Sequence, residues 1–87
     1  MGVDYLSGEF QVNTTPHAFN PVFDISKFSF FSDEGDYYIQ LKDESGWGDW
    51  IPGLKDIETG DDFPCRNIRV KSKLGTIKLR YYIKGTR

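Results

Sequence analysis

The chain is poor both in helix-building residues and in residues that build reactive centres. It has one alanine, Ala18, and five leucines among 87 residues. Ala and Leu are among the strongest helix formers, so their scarcity argues against a helical bundle. A single cysteine, Cys65, excludes an intrachain disulfide. One histidine, His17, and one cysteine cannot make a closed zinc site without carboxylates, and no metal site is expected. His17 stands in a Pro-containing stretch with no Cys or Asp beside it. Such a chain is expected to be no enzyme and to need no cofactor. No apolar run approaches the roughly 18–20 residues of a membrane span, so no membrane insertion is expected. Met1-Gly2-Val3-Asp4-Tyr5 has neither a basic nor an apolar signal region, so no signal peptide is expected in the chain as given.

What the chain has is aromatic residues. Hydrophobic residues make up 38%, but seven Phe, five Tyr and two Trp are among them. Each buries a large area, so a few can form the core of one small domain. The net charge of −2 is unevenly spread. Residues 1–62 carry thirteen acids and three lysines, whereas residues 63–87 carry eight basic residues and no acid. In a folded sheet, basic strands of this kind pair with acidic ones. Nucleic acid is an unlikely partner for a chain that is acidic overall.

Apolar–polar alternation, the mark of a half-buried strand, recurs along the chain. It runs over Glu9–Asn13, then through Phe23 and Ile25, then Phe28 and Phe30, with Ser26-Lys27 breaking the phase as a bulge or a break into two strands would. Tyr37, Ile39 and Leu41 face one way, opposite Tyr38, Gln40 and Lys42. Ile68 and Val70 alternate with Arg69 and Lys71. Ile77, Leu79, Tyr81 and Ile83 alternate with Lys78, Arg80, Tyr82 and Lys84. Residues 43–64 read as loop, with glycines at 46, 48, 53 and 60, a short strand over Trp47–Ile51 and one helical turn over Lys55–Thr59. The pattern predicts an all-β antiparallel fold, a small sandwich or prism-like barrel of about six to seven strands in one domain. Residues 28–41 can be laid over 68–81 without a gap. This suggests two degenerate hairpin repeats of about 40 residues, 28–67 and 68–87.

Tyr38, Gly46-Trp47, Gly48-Asp49 and Trp50 follow a Gly-Trp-x-x-Trp pattern. With the polar stretch to Gly60, the pair Ile68 and Val70, and Ile77–Arg80 after Gly75, the segment from about 36 to 83 resembles the ChW (clostridial hydrophobic with conserved tryptophan) repeat of bacterial surface proteins. Leu41 stands where that repeat usually has histidine, and Asp56-Ile57-Glu58-Thr59-Gly60 replaces its usual Ala-Gly-Thr segment. The resemblance implies an extracellular or cell-surface module linked with adhesion and glycan binding.

The residues themselves suggest a non-catalytic recognition module. Trp47, between two glycines, is expected to expose its ring to a glycan or surface polysaccharide. Trp50, Tyr38, Asp49 and Gln40 are expected to support it, with Trp50 the likelier of the two indoles to plug the core. An alternative is protein–protein interaction or self-association, as in a surface or virion assembly docked through sheet edges or exposed aromatics. A further alternative is an OB-like binder of single-stranded nucleic acid. It would use one basic face made of Arg69, Lys71, Lys78, Arg80, Tyr82 and Lys84. The acidic loops around Asp33, Asp43 and Asp61 are expected to be solvated turns.

Overall fold

The computed structural model describes residues 3–86. Among them are nine strands and no helix. β1 spans Val3–Val12, β2 His17–Ala18, β3 Asp24–Phe31, β4 Tyr37–Asp43 and β5 Gly46–Trp47. β6 spans Ile51–Gly53, β7 Thr59–Asp61, β8 Asn67–Ser72 and β9 Ile77–Thr86. All pairings are antiparallel. A front sheet has the order β1-β9-β3-β7, and a back sheet has β2-β8-β4-β5, with β6 also on β4. The expected all-β sandwich is therefore the fold. The strand number exceeds six or seven because β2 and β7 lie where loop was expected, and the short strand expected over Trp47–Ile51 is instead two, β5 and β6, separated by residues 48–50. Each of these is two or three residues long, too short to show alternation.

The alternating residues form the core. Phe28, Phe30, Leu79 and Ile83 from the front sheet meet Tyr37, Ile39, Ile68 and Val70 from the back sheet, all buried. The Tyr37 hydroxyl crosses the core to donate a hydrogen bond to the Phe30 carbonyl at 3.0 Å. The phase break at Ser26-Lys27 is a bulge, since the pairing of β3 with β9 shifts by one residue between Ile25 and Lys27. Cys65 closes one end. Its backbone exchanges two hydrogen bonds with Ile25 on the front sheet, while the next residue, Arg66, donates to Lys42 on the back sheet.

Three local expectations are corrected. β1 begins at Val3 rather than Glu9, because it pairs with β9 without interruption from Val3 opposite Thr86 to Val12 opposite Ile77, and Gly8 packs against Tyr81 within it. A Cβ there would lie 3.1 Å from the Tyr81 hydroxyl. Lys55–Thr59 is not helical: the N–H of Lys55 donates to the Asp36 carboxylate and that of Asp56 to the Ser32 carbonyl. Asp56 also has φ of 66°, outside the right-handed helical region. Finally, the segments 28–41 and 68–81 are not hairpins. β3 and β4 lie in different sheets, as do β8 and β9, so each segment is an arch between sheets. The arches interlock: β3 pairs with β9, and β4 with β8. Matching positions have matching environments, with Ser32 and Ser72 both buried at the start of the arch. Ser32 donates its hydroxyl to the Lys78 carbonyl, and Ser72 to that of Gly75.

Two predictions follow from this packing. A Cβ at Gly85 would lie 1.8 Å from the Asp24 carbonyl oxygen, a backbone atom that cannot swing aside. Gly85→Ala is expected to cost about 3 kcal/mol or more in a urea melt, at the upper end of overpacking penalties. Burial also pushes the Cys65 thiol up to about 11, and burial likewise raises the Tyr37 phenol. The unfolded chain releases these protons first, so stability is full below about pH 9 and falls as pH rises towards 11. Urea melts in reductant at pH 8 and pH 10.5 are expected to differ. Cys65→Ala should remove part of the difference, about 2 kcal/mol.

Candidate functional site

β4 and β8 are neighbours in register, with Tyr38 opposite Lys71, Gln40 opposite Arg69 and Lys42 opposite Asn67. All six project outward from the back sheet, because their strand neighbours Tyr37, Ile39, Ile68, Val70 and Ser72 are buried. On the other side of β4, Trp47 pairs with Lys42 and Ile51 with Ile39. Between these pairs, Gly48-Asp49-Trp50 faces only Leu41 and Gln40, a one-residue bulge. Residues three apart in a regular strand point to opposite faces. The added residue puts Trp47 and Trp50 on the same face.

The result is a ladder of alternating cations and rings. The Arg69 guanidinium lies 4.3 Å from the Trp47 ring centroid and 5.5 Å from that of Trp50. Lys71 Nζ lies 4.3 Å from Trp50 and 5.8 Å from Tyr38. Lys42 Nζ lies 5.8 Å from Trp47. Buried Gln40 locks the centre. Its amide donates to the Gly48 carbonyl at 2.6 Å, and its Oε1 accepts from Arg69 Nε at 2.5 Å. Cation–ring contacts of this sort are each worth about 0.5–2 kcal/mol.

The structure thus gathers four of the five expected ligand residues: Trp47, Trp50, Tyr38 and Gln40. Asp49 is exposed on the bulge. Trp50 is not a core plug. Both indoles are half-buried on the outer face, because the bulge cancels the alternation that would have turned one inward. Two of the ladder cations, Arg69 and Lys71, were legible in sequence only as part of a basic face, and Lys42 was not among its residues. That single face does not exist. The arch between β8 and β9 sends Arg69 and Lys71 to the back sheet and Lys78, Arg80, Tyr82 and Lys84 to the front. On the front, Lys78 and Arg80 both approach Glu9 of β1, at 3.7 Å each, and Tyr82 stacks on Tyr5. An open depression of about 730 Å³ on this front face is lined by Ser7, Glu9, Phe31, Arg80 and Tyr82, away from both indoles.

The acidic turns serve the backbone. Asp43 accepts from the Ser45 amide and hydroxyl, which holds its carboxyl below the usual range. Glu34 accepts from the Lys78 amide at 2.6 Å. His17 packs against Phe10 and Phe19.

No family model and no curated protein matches this chain. Among solved structures, the fold is similar to that of a chain from a structure of Bacillus endospore appendages, described as a family of disulfide-linked pili. The TM-score is 0.67 at 9% identity, over 98% of this chain and 87% of that one. The likeness is one of fold.

Arg69→Ala is expected to open the ladder, uncover both indoles and leave Gln40 Oε1 unpaired. Tryptophan emission should move to the red with stronger acrylamide quenching, and stability should fall by about 1–3 kcal/mol. Arg69→Lys, which keeps the charge and loses the planar fork, should recover only part of the emission shift.

Proposed function

We propose that this chain is a subunit of a protein assembly that associates through the edge of its front sheet. The observation that carries this reading is the contrast between the two edges of that sheet. β7, at one edge, is three residues long and flanked by Glu58 and Asp62, both exposed. Short, charged edges resist strand addition. β1, at the other edge, is ten residues long with Asp4 and Glu9 as its only charged residues. A long, sparsely charged edge offers its free backbone groups to another strand. The sandwich shared with a pilus subunit supports the reading. Cys65 is buried with a raised thiol pKa, so this reading uses backbone pairing and not a disulfide.

Carbohydrate recognition is the second reading, favoured by two indoles, Tyr38 and Gln40 on one face. It has less support, because sugar stacking needs a free ring face and cations already lie over both indoles.

The test is sedimentation velocity over a range of concentrations. The wild-type chain is expected to form species larger than the 10.0 kDa monomer. Leu6→Lys places a charge on the inner side of β1 at a residue already 37% exposed. It should shift the chain to monomer while lowering stability by no more than about 1 kcal/mol.

A further inference from the structure

The ladder face has an electrostatic property that its structural role leaves unused. Among the described residues, Lys42, Arg69 and Lys71 have no carboxylate within 4 Å. Front-sheet cations differ, since Lys78 and Arg80 are both placed against Glu9. Arg69 uses Nε on Gln40, and its two terminal nitrogens make no hydrogen bond to another described residue. A guanidinium held in this way presents a parallel pair of donors, the geometry that receives a carboxylate. The cations lying over the indoles disfavour a partner that must stack, whether sugar ring or nucleobase. What the face offers is fixed positive charge.

The chain carries a matching surface at the β7 edge. Asp56, Glu58, Asp61 and Asp62 are all exposed there. Lys27 lies 3.9 Å from Asp62, and Lys55 precedes Asp56 at the start of the rim. We infer that the back-sheet ladder, Lys42, Arg69 and Lys71, docks the acidic rim Asp56–Asp62 of a second copy of this chain. The inference rests on the assembly reading and names a second contact within that assembly. Face and rim are different surfaces of one molecule, so the contact is head-to-tail and permits an open chain of subunits. Complementary charge fixes the register and makes association sensitive to salt.

A charge-swap experiment tests this on the full chain. Lys42→Glu with Lys71→Glu reverses the face and spares the central Arg69–Gln40 contact. Glu58→Lys, Asp61→Lys and Asp62→Lys together reverse the rim, leaving Asp56 as its one acid, and touch no ladder residue. Each of these two variants alone is expected to self-associate at least tenfold more weakly than wild type by sedimentation velocity. An equimolar mixture should form heterodimers, since one variant keeps its rim and the other its face. The chain with all five substitutions should recover association, and raising salt from 50 to 500 mM should weaken the wild type. Circular dichroism and melting establish that each variant is folded. If the wild type associates but neither reversal nor salt changes it by more than twofold, the contact is refuted and the assembly reading stands. A wild type that stays monomeric at all concentrations refutes both. If the face reversal abolishes binding to heparin or to an oligonucleotide and leaves self-association intact, the face belongs to a polyanion and the inference is overturned.

Discussion

The register of β8 against β4 is the constraint on which the rest of the structure depends. It joins segments about thirty residues apart, with Ile39 beside Val70 and Gln40 beside Arg69. Side chains alternate between faces with a period of two, so a slip by one residue would turn Ile68 and Val70 outward and Arg69 and Lys71 into the core. The core therefore enforces the register, and the register places Arg69 next to Gln40 and the indoles. The companion pairing of β3 with β9 works in the same way on the front sheet, where Phe28 faces Ile83 and Phe30 faces Tyr81. Both pairings exist only because residues 32–36 and 72–76 carry the chain across from one sheet to the other.

This crossing also explains the distribution of charge. A basic final third would make one strongly positive surface if β8 and β9 were hairpin partners. Placing them in opposite sheets divides the cations between two outer faces. On the front, β1 supplies Glu9 to Lys78 and Arg80. On the back, aromatic rings take the place of carboxylates. Contacts between cations and rings hold the side chains in place without cancelling their charge. The back face is accordingly both ordered and positive, which suits it to receive an acidic surface.

The edges of the front sheet divide labour in a comparable manner. β7 ends the sheet with a short acidic segment, and Gly60 lets it lie close against β3: a Cβ there would be 2.7 Å from the Phe28 carbonyl oxygen. β1 leaves ten residues of backbone along an open edge. The proposed assembly through β1 and the inferred docking of the acidic rim on the ladder involve different surfaces of one subunit.

The all-β class and the strands β3, β4, β8 and β9 were determined by the sequence alone, whereas the core expected from the aromatics is built mostly of Val, Ile and Leu, with Phe23, Phe28, Phe30 and Tyr37 among them. Alternation over Tyr37–Lys42 and Ile77–Lys84 is a local signal, and so is the phase break at Ser26-Lys27. Tyr38, Gln40, Trp47 and Trp50 were legible as a group for a similar reason, being close in sequence around one glycine-rich turn. Tertiary structure decided what local signals do not contain. β1 continues through Gly8 to Val3, because all ten of its residues pair with β9. Trp50 faces solvent rather than the core because a bulge at Gly48–Trp50 adds one residue against β4. Arg69 and Lys71 separate from Lys78 and Arg80 because an arch, and not a hairpin, follows Ser72. Each outcome depends on which distant strand becomes the neighbour, and pairing between distant segments is set by the packing of the whole core.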